Sequence, residues 1–286
     1  MPDRPELPPA RSLASLYSSP AQRHGLAALT ALEREIGASL RRGIDHQVAH
    51  TRLAWWREEC GRTAGGHATH PLTRELSVLF APLQSSPLAG LAGLVDTAVW
   101  DLSCAIFNTR RELTAYCERW NAAVVAPLVQ LAAPDAPTAR TQPLGVKLRE
   151  IELLVALGED ARLGRLRLPL DELEAAGVAP ESLARPPWPH ALAVLLSHRH
   201  RQLRAALADT VDTLPAGPRR ALRGLIVWVS LACNASARAE ARLPAESPPR
   251  DHQGPLDGWR AWRAARRVDL QRPMGRRSAP PQAGSG

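Results

Sequence analysis

This 286-residue chain is poor in several things. Phe and Tyr number two each, so the apolar interior must come from Leu, Ala and Val, a mixture that favours helices over strands. No stretch alternates apolar and polar residues over a useful strand length, which excludes a sheet-based core and predicts an all-α protein. The four cysteines (Cys60, Cys104, Cys117 and Cys233) form no C-x-x-C pair, which argues against a zinc site or a compact disulfide framework and predicts buried free thiols in a reducing cytosol. Lysine is almost absent. Lys147 is the only one, so the net charge of +8 is carried by arginine, and that skew alone does not call for a nucleic-acid partner.

Long hydrophobic runs are missing as well. The most apolar stretch, Gly224 to Cys233, is too short to span a bilayer and reads as a core helix. The Pro-rich beginning lacks the basic start and apolar stretch of an export signal, so a cytoplasmic location is expected. The expected organisation is an irregular segment over 1–12, one helical domain over 13–268 and a disordered tail over 269–286. Apolar residues at Leu29, Leu32, Ile36, Leu40, Ile44 and Val48 predict one long helix, weakened but not broken by Gly37 and Gly43. Further helices are predicted over 72–79, 91–107, 110–131, 144–157, 189–210 and 218–241, with loops at 133–143 and 244–255.

Motifs occur in a telling order. Arg52-Leu53-Ala54-Trp55-Trp56-Arg57-Glu58-Glu59 is followed by His70-Pro71, then by Asp101 and by Glu112-Leu113 with Tyr116-Cys117. Next comes Gly158-Glu159-Asp160-Ala161-Arg162-Leu163-Gly164-Arg165-Leu166-Arg167-Leu168-Pro169. These segments resemble those of the squalene/phytoene synthases, which join two prenyl diphosphates head to head, with the last close to that family's GEDarrGRiYLP. The resemblance implies an isoprenoid-synthase-type helical bundle around a central apolar cavity. It also implies Mg²⁺, held by aspartates on two facing helices, to neutralise the leaving pyrophosphate.

This sequence departs from the family at those aspartates. The first D-x-x-x-D falls on Gly37 to Arg41, with both aspartates gone. The second motif, N-x-x-R-D-x-x-x-D, falls on Glu152, Val155, Ala156 and Asp160, and the Gly-x-Ala-x-Gln before it reads Gly145-Val146-Lys147-Leu148-Arg149. Trp120 and Val125, where the family has Val and Gly, predict a narrowed, filled interior. A catalytically impaired family member is the favoured reading, and no catalytic residue is assigned.

A shifted metal site would use Glu152, Glu159 and Asp160, with Glu33 one helical turn before the lost first aspartate, and Mg²⁺ as cofactor if the protein is active. A prenyl diphosphate could instead meet Arg34, Arg41, Lys147, Arg149 and Arg165, since guanidinium binds phosphate in a bidentate way. A salt bridge from Arg41 to Glu159 or Asp160 is also predicted. The alternatives are an active head-to-head transferase and an interaction protein of unknown partner, peripheral to the inner membrane surface through the basic helix Trp259 to Arg267. His67, His70, His198 and His200 read as surface histidines, and Trp55-Trp56 as a packing element.

Overall fold

The computed structural model describes residues 7–83, 87–246, 254 and 256–270. Among them every regular element is helical, as the composition predicts. Helix α1 (Pro9–Ser15) lies largely inside the segment expected to be irregular, and buries Arg11 and Ala14 against its neighbours. Helix α2 (Pro20–Gly37) opens with a reciprocal cap. Ser19 accepts the Gln22 backbone N–H while the Gln22 side chain accepts that of Ser19, and Pro20 occupies the first turn, where no N–H is needed.

The long helix predicted through Val48 does not form. Helix α2 ends at Gly37, a short 3₁₀ turn spans Ala38–Leu40, and Gly43 takes the left-handed conformation at φ 89° that glycine enters without strain. Asp45 then caps α3 (His46–Ala64) through the N–H groups of Gln47 and Val48. Apolar spacing cannot detect such a break, because Leu40 and Ile44 still pack partly inward on either side of it. His70 caps α4 (Pro71–Phe80) and is held below by Glu59, which accepts from the backbone N–H groups of Thr69 and His70.

The centre of the molecule is α6 (Arg110–Ala132), flanked by α5 (Ala92–Leu102) and α7 (Thr138–Val155). Close approach of α5 to α6 depends on glycine: a Cβ on Gly93 would stand 2.2 Å from the Arg119 carbonyl oxygen. Helix α7 begins inside the expected 133–143 loop and continues into the short α8 (Leu157–Arg162) after a kink at Ala156. The remaining elements are α9 (Leu170–Ala175), α10 (His190–Asp212), α11 (Ala216–Ala221), α12 (Arg223–Arg242) and α13 (Asp257–Leu270). Most of the predicted loop at 244–255, and the tail beyond Leu270, lie outside the described residues.

Burial follows the amphipathic patterns, with Leu29, Leu32, Leu53, Leu76, Leu144 and Leu148 all fully enclosed. Each such side chain contributes on the order of 2 kcal/mol relative to exposure. Three sequence expectations need correction. His200 is buried and shares a hydrogen bond with Ser236 at 2.8 Å, its pKa pushed down to about 4 by burial and by Arg204. Cys104 is exposed rather than buried. Of the Trp pair, only Trp56 packs inside.

Candidate functional site

The interior is not filled. One cavity of about 320 Å³ lies between α1, α2, α7 and α12, and a second of about 250 Å³ between α2, α5, α6 and the stretch following α8. Glu33 and Arg149 line both, so they form the partition. Trp120 is fully buried and lines the smaller cavity, while Val125 packs at the α6–α7 contact, near where a Cβ on Gly145 would stand.

The partition is a tightly bonded set. Glu33 accepts from Arg11 at 2.6 Å and from the Trp120 indole N–H at 2.7 Å, with Arg149 at 4.0 Å. Glu152 accepts from the Trp228 indole at 2.8 Å and faces Arg149 at 3.6 Å. The guanidinium of Arg11 lies 4.7 Å from the Trp228 ring centre and that of Arg149 lies 5.0 Å from the Trp120 ring centre, placing cations on π faces. Burial acts to raise the pKa of Glu33, but Arg11, Arg149 and the Trp120 hydrogen bond prevail and hold it at about 2.

A second network sits beside the smaller cavity. Arg167 donates to both carboxylate oxygens of Asp101, at 2.7 and 3.0 Å, and through Nε to Asp160 at 3.0 Å. Tyr116 donates its hydroxyl to Asp101 at 3.2 Å. The Arg167 side chain is only 3% exposed. Burial disfavours its charge, yet Tyr116, Asp101 and Asp160 together raise its pKa well above the ordinary arginine value.

These contacts sort the residues singled out from the sequence. Arg149 and Glu152 belong to the partition, and Arg34 lines the larger cavity. Arg41 and Arg165 meet at the smaller one. Lys147 is turned away, reaching the Ala206 carbonyl and Thr210 on α10. It stands two residues before Arg149, and positions so spaced point to opposite sides of a helix. Glu159 is exposed.

The predicted pairing of Arg41 with Glu159 or Asp160 is absent among the described residues, and Arg167 takes the role assigned to Arg41. Sequence reasoning missed Arg11 and Arg167 as network members, and Glu33, considered for a shifted metal site, is bonded to Arg11 and Trp120 instead. A signal for Arg167 was available, since it stands where GRiYLP carries Tyr.

Residues 9–253 match the squalene/phytoene synthase family profile. The chain belongs to the squalene/phytoene synthase family. Over 99 residues it is 34% identical to a phytoene synthase of Rhodobacter capsulatus, a stretch covering 34% of this chain and 29% of that relative, so the match spans under a third of the relative's length. The fold is similar to that of a dehydrosqualene synthase solved with a ligand, at TM-score 0.72 and 17% identity over 91% of this chain and 90% of the other. It is also similar to the squalene synthase HpnC of Alicyclobacillus acidocaldarius, at TM-score 0.62 and 19% identity over 81% and 88%.

Within this squalene/phytoene synthase frame, the residues present do not fit Mg²⁺. The ion needs several oxygen ligands in near-octahedral array, and the described residues contain no group of three potential metal-binding side chains. Both oxygens of Asp101 and one of Asp160 are already bonded to Arg167. Glu152 belongs to the separate partition network, so Glu152, Glu159 and Asp160 do not converge. Three positions at which this chain departs from the family pattern are joined instead: Trp120 and Arg149 both contact Glu33, and Arg149 contacts Glu152.

Proposed function

We propose that this protein is a squalene/phytoene synthase family member that does not ionise prenyl diphosphates, its carboxylates being neutralised by arginines of its own chain rather than by Mg²⁺. The observation that carries the reading is the clamp of Arg167 on Asp101 and Asp160. A carboxylate that already accepts charge-assisted hydrogen bonds in a nearly closed site gives them up at a cost that a strongly hydrated cation does not readily offset. Without the metal, nothing assists departure of the pyrophosphate. The test is incubation of the purified chain with farnesyl or geranylgeranyl diphosphate and Mg²⁺, with product and pyrophosphate measured. No release above the uncatalysed rate is expected, whereas Mg²⁺-dependent turnover would establish an active transferase and refute the proposal.

A second reading, favoured by one arrangement, is metal-independent binding of an anionic headgroup. Arg41 and Arg165 line the smaller cavity, and neither forms an ion pair among the described residues. Two such guanidinium groups suit a diphosphate. Calorimetric titration with a farnesyl diphosphate analogue should then give the same affinity with and without Mg²⁺, and R41E/R165E should abolish it. Binding that requires the metal, or survives the double charge reversal, contradicts this reading.

A further inference from the structure

Helix α13 packs one face against the domain, and among the described residues the other face is left uncovered. Ala261, Ala264, Ala265 and Val268 are buried, at spacings that place them along one side. The opposite side carries Trp259, Trp262, Arg263, Arg266 and Leu270, at i, i+3, i+4, i+7 and i+11. Trp259 is 52% exposed and Trp262 46%, with Leu256 and Leu270 also open at the two ends. Monomeric surfaces do expose single apolar residues, but a line of two tryptophans between two leucines is a patch.

The charge on this face is one-signed. Asp257 is taken up by Arg238 and Arg260, each at 2.9 Å, and Asp269 faces Arg223 at 3.3 Å. Arg263, Arg266 and Arg267 form no ion pair among the described residues and are exposed. Arg263 instead lies over the Trp259 ring at 4.5 Å, and Arg266 over that of Trp262 at 5.2 Å. The sequence beyond Leu270 adds Arg272, Arg276 and Arg277 and no acidic residue.

We infer that α13 is a docking face for an anionic lipid bilayer, on which the helix lies parallel to the surface. Tryptophan settles at the headgroup boundary, where its ring is half in hydrocarbon and its N–H remains hydrated, and arginine beside it reaches the phosphates. Nucleic acid would use the arginines but leave Leu256 and Leu270 without an apolar partner, so charge and apolar surface together favour lipid. No helix among the described residues is long and apolar enough to cross a membrane. The contact is therefore made from one side, and it is independent of whether the interior site turns over.

The test is co-sedimentation of the full chain with vesicles of phosphatidylglycerol and phosphatidylcholine, compared with phosphatidylcholine alone. Wild type should bind the anionic vesicles and weaken with added salt. W259A/W262A and R263E/R266E, all at exposed positions, should keep the wild-type circular dichroism. Each arginine near an anionic surface contributes about 1 kcal/mol, or about fivefold, so R263E/R266E should weaken binding by more than about tenfold.

The inference is overturned by failure of wild type to bind, by equal binding to the two vesicle types, or by variants that bind like wild type. Loss on deleting 271–286 alone, with both α13 variants unaffected, would assign binding to the tail. A wild-type dimer in light scattering that W259A/W262A converts to monomer would make the face a contact between copies and likewise overturn it.

Discussion

Replacing Arg167 by methionine keeps a long side chain in place but removes the cation shared by Asp101 and Asp160. The Arg167, Asp101 and Asp160 side chains are 3%, 10% and 5% exposed, so the freed Asp160 is shut off from water and Asp101 meets it only through the smaller cavity. Breaking a buried pair by removing one partner costs about 3–5 kcal/mol. For a domain of this size about 1 kcal/mol corresponds to a 2–4 °C shift in melting temperature, so R167M should melt about 6–20 °C below wild type.

The assay is thermal and urea denaturation followed by circular dichroism. The triple variant R167M/D101N/D160N should recover most of the loss, because replacing a whole buried ionic network with neutral groups is often nearly neutral. A loss under about 1 kcal/mol in R167M would show that the clamp is not holding charge against burial, and the argument for a self-neutralised site would fall with it. A loss that the two asparagines do not relieve would assign the effect to packing instead.

Two other outcomes follow from the same structure. The Glu33 carboxyl is held at about 2, well below the 4.5 of a free glutamate, so its contribution is fully present above that free value and is lost as pH falls through about 2. Stability measured by urea titration should decline by about 3 kcal/mol across that window, and E33Q should flatten that part of the profile; an unchanged slope in E33Q would place the acid sensitivity elsewhere. At the α5–α6 contact, G93A would set a methyl 2.2 Å from the Arg119 carbonyl oxygen. Backbone there cannot move aside as a side chain could, and a loss of about 1–3 kcal/mol is expected, with wild-type stability of G93A as the contrary result.

Much of this was legible in the sequence, for identifiable reasons. Helix α4 was expected over 72–79 and spans Pro71–Phe80, because its apolar positions repeat on one face and Pro71 suits a first turn. Loss of the metal-binding aspartates at Gly37, Arg41 and Ala156 needs only a motif to be seen. The break between α2 and α3 was harder, because periodicity persists through it and only the left-handed Gly43 and the Asp45 cap mark it. Lys147 is grouped with Arg149 because both fall on the family's Gly-x-Ala-x-Gln, although two residues along a helix place side chains on opposite sides.

By itself, then, the sequence determined the helical class, the family and the absence of the paired aspartates, since composition, motif order and local spacing are properties of neighbouring residues. Which cation neutralises which carboxylate was decided only by tertiary structure. Arg11 meets Glu33 across 22 positions and Arg167 meets Asp101 across 66. Nothing local to either partner specifies such a pairing; it arises because helix packing closes the interior, and a charge enclosed there must have an opposite one within reach.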